Sequence, residues 1–129
     1  MPIVKQLVVT LENRPGALAM LCSELAKVAV NIEAIQATEA GPISPVRLLV
    51  SHIDVARNVC DKLGLKTVVE PALVVGMSHR PGSLGRVMRK LSAKGINVDY
   101  VYGTIEKGTK QAVVVMGVSD LAAAAKIAH

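Results

Sequence analysis

The chain has 129 residues, 51% of them hydrophobic, with a mean hydropathy of +0.44 and a net charge of +5. These values exclude a disordered chain, and no apolar run approaches the ~20 residues of a membrane helix. Phe and Trp are absent and Tyr100 and Tyr102 are the only aromatic residues. The core must therefore be aliphatic, and the sheet aromatics on which RNA-recognition domains stack bases are missing.

In chain order, the opening MPIVKQLVVTL lacks the charged region, long apolar stretch and cleavage site of a signal peptide, so a cytoplasmic location is expected. Residues 5–11 alternate, with Leu7, Val9 and Leu11 on one face and Gln6, Val8 and Thr10 on the other, as in a strand. Arg14-Pro15-Gly16 follows, with Pro15 suited to a first helical position. Leu18, Leu21, Cys22, Leu25 and Val28 then recur at helical spacing. Asn31 is the expected helix stop, because Asn tolerates the left-handed conformation. A strand is expected over 32–38, a Pro-containing loop, and a strand over 46–52. A helix capped by Asp54 and stopped by Gly64, and a strand over 65–70, complete the unit.

The chain then repeats itself at an offset of 66, which carries Arg14-Pro15-Gly16 onto Arg80-Pro81-Gly82 and Asn31-Ile32-Glu33 onto Asn97-Val98-Asp99. Without a gap the alignment carries 46–52 onto 112–118 and Asp54 onto Asp120. A tight turn at 106–110 replaces the Pro-containing loop. Each unit reads βαββαβ, a ferredoxin-like α+β fold with a four-stranded antiparallel sheet under two helices. The units are 1–70 and 71–129, and the second lacks its last strand, whose counterpart would begin near residue 130. Units this small bury only about 60% of their unfolded surface, so the two are expected to pack side by side. Aliphatic residues on the other sheet face, Val8 and Val74 among them, point to a homo-oligomer, most simply a dimer.

Charge is uneven. Residues 1–70 are balanced, and the excess lies in 71–129, much of it in GRVMRKLSAKG, where Arg86, Arg89, Lys90 and Lys94 share a helix face. Such a face is ordinarily solvated, and its sharper reading is an acidic partner or nucleic acid. Cys22 and Cys60 fit small buried side chains. His52, His79 and His129 have no metal partners at useful spacing, and no nucleophile–base pair stands out. Neither catalysis nor a cofactor or metal is expected.

The repeated turn carries the chemistry. It joins a strand end to a helix start, where unpaired N–H groups and the helix dipole favour an anion. Gly16 and Gly82 permit close approach of a ligand to the backbone. Asn13 adds donor and acceptor capacity. An α-amino acid, anion and ammonium together, suits these groups.

The stretches ENRPGALAML and VNIEAIQA resemble the ACT domain, an amino-acid-sensing module of enzymes in amino-acid metabolism. The likeness covers residues 3–70 and, nearly complete, 72–129. It implies a tandem ACT regulatory protein that binds an amino acid between units and acts on a metabolic enzyme in another chain. In a serine-binding member, an Asn before the RPG turn and one before the second strand hold the ligand; those roles fall on Asn13 and Asn31. The implied ligand residues are Leu11, Asn13, Arg14, Pro15, Gly16, Ala17, Leu18, Asn31 and Ile32, and in the second unit Met77, His79, Arg80, Pro81, Gly82, Ser83, Leu84, Asn97 and Val98. That member's histidine is replaced by Leu11 and Met77, and Asn13 by His79 in the second copy. These departures point to a more apolar ligand than serine. The competing reading is a ligand-free scaffold for assembly.

Overall fold

The computed structural model describes residues 1–105 and 110–127. The turn expected at 106–110 lies outside the described residues except for Lys110, as does His129. In chain order the elements are β1 (Ile3–Glu12), α1 (Ala17–Lys27), β2 (Ile32–Ala37), β3 (Ile43–Val50), α2 (Ile53–Lys62), β4 (Thr67–Ser78), α3 (Ser83–Ala93), β5 (Val98–Ile105), β6 (Gln111–Val118) and α4 (Leu121–Ala125). They form two compact units, Lys5–Glu70 and Met1–Val4 with Pro71–His129.

In the first unit the strands run in the order β2-β3-β1-β4. The alternation of β1 places Leu7, Val9 and Leu11 opposite Leu48, Val46 and Ser44 of β3. Their buried face meets Leu21 and Leu25 of α1 and Ala56 and Cys60 of α2. Each fully buried leucine contributes about 1.5–3 kcal/mol, so helices and sheet hold each other. The α1 stripe is shifted from the expected one. Ala17, Leu21 and Leu25 face the core, whereas Leu18 and Val28 are exposed and Cys22 is only half-buried. Gln6, on the face of β1 opposite Leu7 and Val9, is completely buried.

The second unit runs β1-β4-β6-β5, with β1 contributing only its first residues. In this unit the N-terminal segment flanks β4. The Val74 N–H donates to the Pro2 carbonyl at 3.0 Å. The Met1 ammonium donates to the Ala125 and Ile127 carbonyls at 3.1 and 3.4 Å, and its side chain packs on the cluster of Leu73, Val75, Val87, Leu91 and Met116. β4 is continuous through Pro71, so its first residues close the first unit and its later residues open the second.

Four local expectations are corrected. Pro15 and Pro81 are not first helical residues: the N-caps are Gly16 (φ 87°) and Gly82 (φ 89°), one residue later. Asn31 does not stop α1. Ala29 takes the left-handed conformation (φ 58°), and its repeat equivalent is Gly95 (φ 69°). Asp54 lies in the first turn of α2, whose N-cap is His52.

The fourth correction concerns the gapless alignment. β1 pairs Leu7 with Leu48, and β4 pairs Leu73 with Met116. The offset is therefore 66 up to the second strand but 68 afterwards, which carries Ser51 onto Ser119 and His52 onto Asp120. Backbone bonds agree, since Asn31 and Asn97 each donate to the hydroxyl of Ser51 and Ser119 respectively at 2.9 Å. Asp120 is a true cap, accepting from the Ala123 N–H at 3.0 Å.

The left-handed pair gives a paired prediction. An L-residue there costs roughly 1–2 kcal/mol, partly offset by the freedom a glycine has when unfolded. Urea unfolding of Ala29→Gly should show a gain of about 0.5–1 kcal/mol, and Gly95→Ala a loss of similar size. Removing residues 1–4 should cost about 2–3 kcal/mol through lost methionine burial and hydrogen bonds. It should also speed hydrogen exchange at the Val74 amide; unchanged exchange there would contradict the flanking role.

Candidate functional site: two glycine corners

Each RPG turn is built by the same three backbone bonds. In the first unit Asn13 donates to the Pro42 carbonyl (2.9 Å), Arg14 to Glu12 (3.0 Å) and Ala17 to Arg14 (3.3 Å). In the second, His79 donates to Lys110 (2.6 Å), Arg80 to Ser78 (3.0 Å) and Ser83 to Arg80 (3.1 Å). The positive φ of Gly16 and Gly82 turns the chain from strand to helix. A Cβ at either glycine would meet nothing within 4 Å, so the glycines serve backbone conformation and leave open space. Neither α1 nor α3 has a side-chain cap or an acidic residue in its first turn, in contrast to α4, capped by Asp120, and α2, with Asp54 in its first turn. Beyond the Ala17 and Ser83 N–H groups bonded within the turns, no side chain caps the remaining first-turn donors or the positive dipole end at either corner.

A cavity opens at each corner, at the same place in the repeat. In the first unit it measures about 200 Å³ and is lined by Leu11, Glu12, Asn13, Arg14, Ala17, Leu18, Ala37, Thr38, Glu39, Ser44 and Val46. In the second it measures about 500 Å³ and is lined by Met77, Ser78, His79, Arg80, Gly82, Ser83, Leu84, Gly85, Val101, Tyr102, Gly103, Ala112 and Val114. Of the residues singled out from the sequence, Leu11, Asn13, Arg14, Ala17 and Leu18 meet at the first corner. Met77, His79, Arg80, Gly82, Ser83 and Leu84 meet at the second. Pro15, Gly16 and Pro81 shape the turns without lining the cavities. Asn31, Ile32, Asn97 and Val98 lie past the far end of their helices and line neither. The backbones of Asn31 and Asn97 are tied to Ser51 and Ser119, and the Asn97 side chain donates to Asp99 at 2.9 Å.

The corners differ in charge. At the first, Arg14 is paired with Glu12 at 2.7 Å, Glu39 adds a second carboxylate, and the Asn13 amide donates to the Gly41 carbonyl at 3.0 Å. At the second, Ser78 stands in place of Glu12, and among the described residues Arg80 has no ion pair. A unit charge about 4 Å from a ligand carboxylate is worth roughly 1–4 kcal/mol between water and a protein surface. That term opposes an anion at the first corner and favours one at the second.

They also differ in size. Gly103 stands where the first unit has Ala37, and a Cβ there would sit 2.7 Å from the Val113 carbonyl. Leu84 and Val101, both about two-fifths exposed, form an apolar lip.

The strand residues of both cavities, Ala37, Thr38, Ser44 and Val46 and likewise Val101, Tyr102, Gly103, Ala112 and Val114, were not apparent in the turn motif. Period-two patterning marks the strands, but the change of offset hides which residues oppose the turn. Tyr100 lies over Gly117, where a Cβ would collide with its ring, whereas Tyr102 lines the cavity.

Burial pushes the Cys60 thiol up, and Asp61 adds to the rise, so it is not an activated nucleophile. Among the described residues no cluster of three His, Cys, Asp or Glu could hold a metal. No helix among them is long and apolar enough to cross a membrane.

No family model and no curated protein matches the sequence. Among solved structures, the chain is similar to protein BT0572 from Bacteroides thetaiotaomicron, with 27% identity and a TM-score of 0.90, over 96% of this chain and 85% of that one. It is also similar to the ligand-free regulatory subunit of aspartate kinase from Thermus thermophilus, at 13% identity and a TM-score of 0.64, over 90% and 87% of the two chains. The corresponding subunit from Thermus flavus matches at 11% identity and a TM-score of 0.55, over 90% and 87%. The chain has the tandem ACT fold of these regulatory subunits.

Proposed function

We propose that this tandem ACT protein is a regulatory module that binds an amino acid with an apolar side chain at the glycine corner of its second unit. The single observation that carries the reading is the composition of that corner. An uncapped helix N-terminus and Arg80 converge on a cavity of about 500 Å³ that no carboxylate among the described residues lines. The ligand carboxylate sits at the first turn of α3, where N–H groups and dipole attract it. Its side chain lies against Met77, Leu84, Val101 and Val114, and the ammonium is met by acceptors among the polar residues lining the cavity, Ser78 and Ser83 among them. The volume falls in the range of small-molecule sites, roughly 300–1,000 Å³. The first corner, smaller and bearing Glu12 and Glu39, is the weaker site.

Binding orders the corner, and the response passes to another copy of the chain or to an enzyme of amino-acid metabolism in a separate chain. Such coupling requires that the ligand prefer one state of the assembly. The regulatory subunits of aspartate kinase share the fold; the corner carries the ligand assignment.

A thermal-shift series with the twenty amino acids tests this. An apolar amino acid at about 100 times its Kd should add ~2.7 kcal/mol, near 10 °C for a chain of this length. Arg80→Gln or Val101→Glu should weaken the response at least tenfold with the unliganded Tm nearly unchanged, whereas Asn13→Ala should preserve it. A flat response to all twenty would leave a ligand-free scaffold as the function.

A further inference from the structure

The walls of the two glycine corners differ in side-chain size as well as charge. Three positions on three elements are each one heavy atom smaller in the second unit. Gly85 of α3 stands for Ala19, Gly103 of β5 for Ala37, and Ala112 of β6 for Ser44. Gly85, Gly103 and Ala112 all line the second cavity, which measures about 500 Å³ against about 200 Å³ for the first. At the turn the trend reverses, with His79 for Asn13 and Ser83 for Ala17. The close approach of β6 demands glycine at position 103, because a Cβ there would lie 2.7 Å from the Val113 carbonyl. Bare backbone thus faces the cavity twice, once from the helix and once from the strand. The strand walls also differ in polarity. In the first corner the wall carries the hydroxyl of Ser44, a residue about nine-tenths buried. In the second, the helix-facing strand residues at the cavity are Met77, Val101, Gly103, Ala112 and Val114.

We propose that the second corner selects an aromatic amino acid, phenylalanine or a close analogue, over the branched aliphatic ones; this rests on the amino-acid reading given above and names its side chain. A planar ring packs against bare backbone with no branch standing off it, and an aromatic side chain buries about 150–250 Å². Valine or isoleucine would leave part of the cavity unfilled and forfeit dispersion contacts there. Met77, where the first unit has Leu11, adds a thioether, which makes favourable contacts with ring edges. An unsubstituted ring suits the wall better than tyrosine, whose hydroxyl would be buried against side chains that cannot bond it.

The probe is para-fluoro-L-phenylalanine followed by fluorine NMR, in which the chain itself gives no signal. Its line should broaden with the parent chain. L-phenylalanine should sharpen it again at a concentration about tenfold or more below that needed of L-valine or L-leucine. Ala112→Val, which adds two carbons to the wall, should raise the Kd of the probe about tenfold while the thermal shift with L-valine persists. Gly85→Ala is the milder variant, since its Cβ would meet the flexible Arg89 guanidinium at 3.3 Å. It should weaken the probe about threefold with unaltered circular dichroism, and it decides the matter where Ala112→Val lowers the unliganded Tm. Valine or leucine displacing the probe as well as phenylalanine does, or both variants binding the probe like the parent, overturns the aromatic assignment and leaves the amino-acid reading standing. So does a probe line that stays sharp while another amino acid raises the Tm. A chain whose Tm answers to none of the twenty overturns both.

Discussion

An antiparallel sheet on which helices pack must have a partner on each side of its central strand, because buried backbone groups left unpaired are costly. Here two strands each serve twice. The lead-in to β4 is the last strand of the first unit, and β4 continues as the first strand of the second. The lead-in to β1, Met1–Val4, flanks β4 in the second unit. The Met1 ammonium bonded to carbonyls past the end of α4 fixes that lead-in from its first atom.

From this constraint the rest follows in order. With both central strands flanked, their far ends run straight into the glycine corners. Each corner needs a left-handed residue to turn strand into helix, and glycine supplies it without a Cβ in the way. A glycine N-cap has no side chain to satisfy the first turn, so the same choice that makes the bend also leaves donors exposed. The electrostatic character of the corner is thus in part a by-product of the turn. Its direction, toward or against an anion, is decided by neighbours such as Glu12 or Ser78.

The ferredoxin-like repeat and its two aliphatic cores were legible in the sequence because period-two and period-3.6 patterns are strong over Lys5–Val9 and Leu21–Leu25. The RPG corners were legible as a motif, and Leu11, Asn13, Leu18, Arg80 and Leu84 do meet at them. Local stops and caps were not. Asn31 is a better left-handed residue than Ala29 by propensity, yet the helix ends earlier, with Val28 and Val30 both bonded to the Leu25 carbonyl; tertiary packing of Val30 decides the point. The two-residue change of offset was invisible because valine-rich 112–118 aligns with 46–52 almost as well in either frame. Only strand pairing distinguishes the frames, and with the wrong one Val101, Gly103 and Ala112 could not be placed opposite the turn.

Comparing the repeats with the corrected correspondence shows where they have diverged. The cores remain interchangeable, Leu7 for Leu73, Leu21 for Val87, Leu25 for Leu91, Leu48 for Met116. Around α3 the changes are Glu12 to Ser78, Asn13 to His79, Met20 to Arg86, Glu24 to Lys90, and Ala37 to Gly103. Each removes a carboxylate, adds a basic or titratable group, or opens space, and none alters a core position. Together they leave α3 cationic along a flank where α1 carries Met20 and Glu24, while the fold that both copies share is untouched.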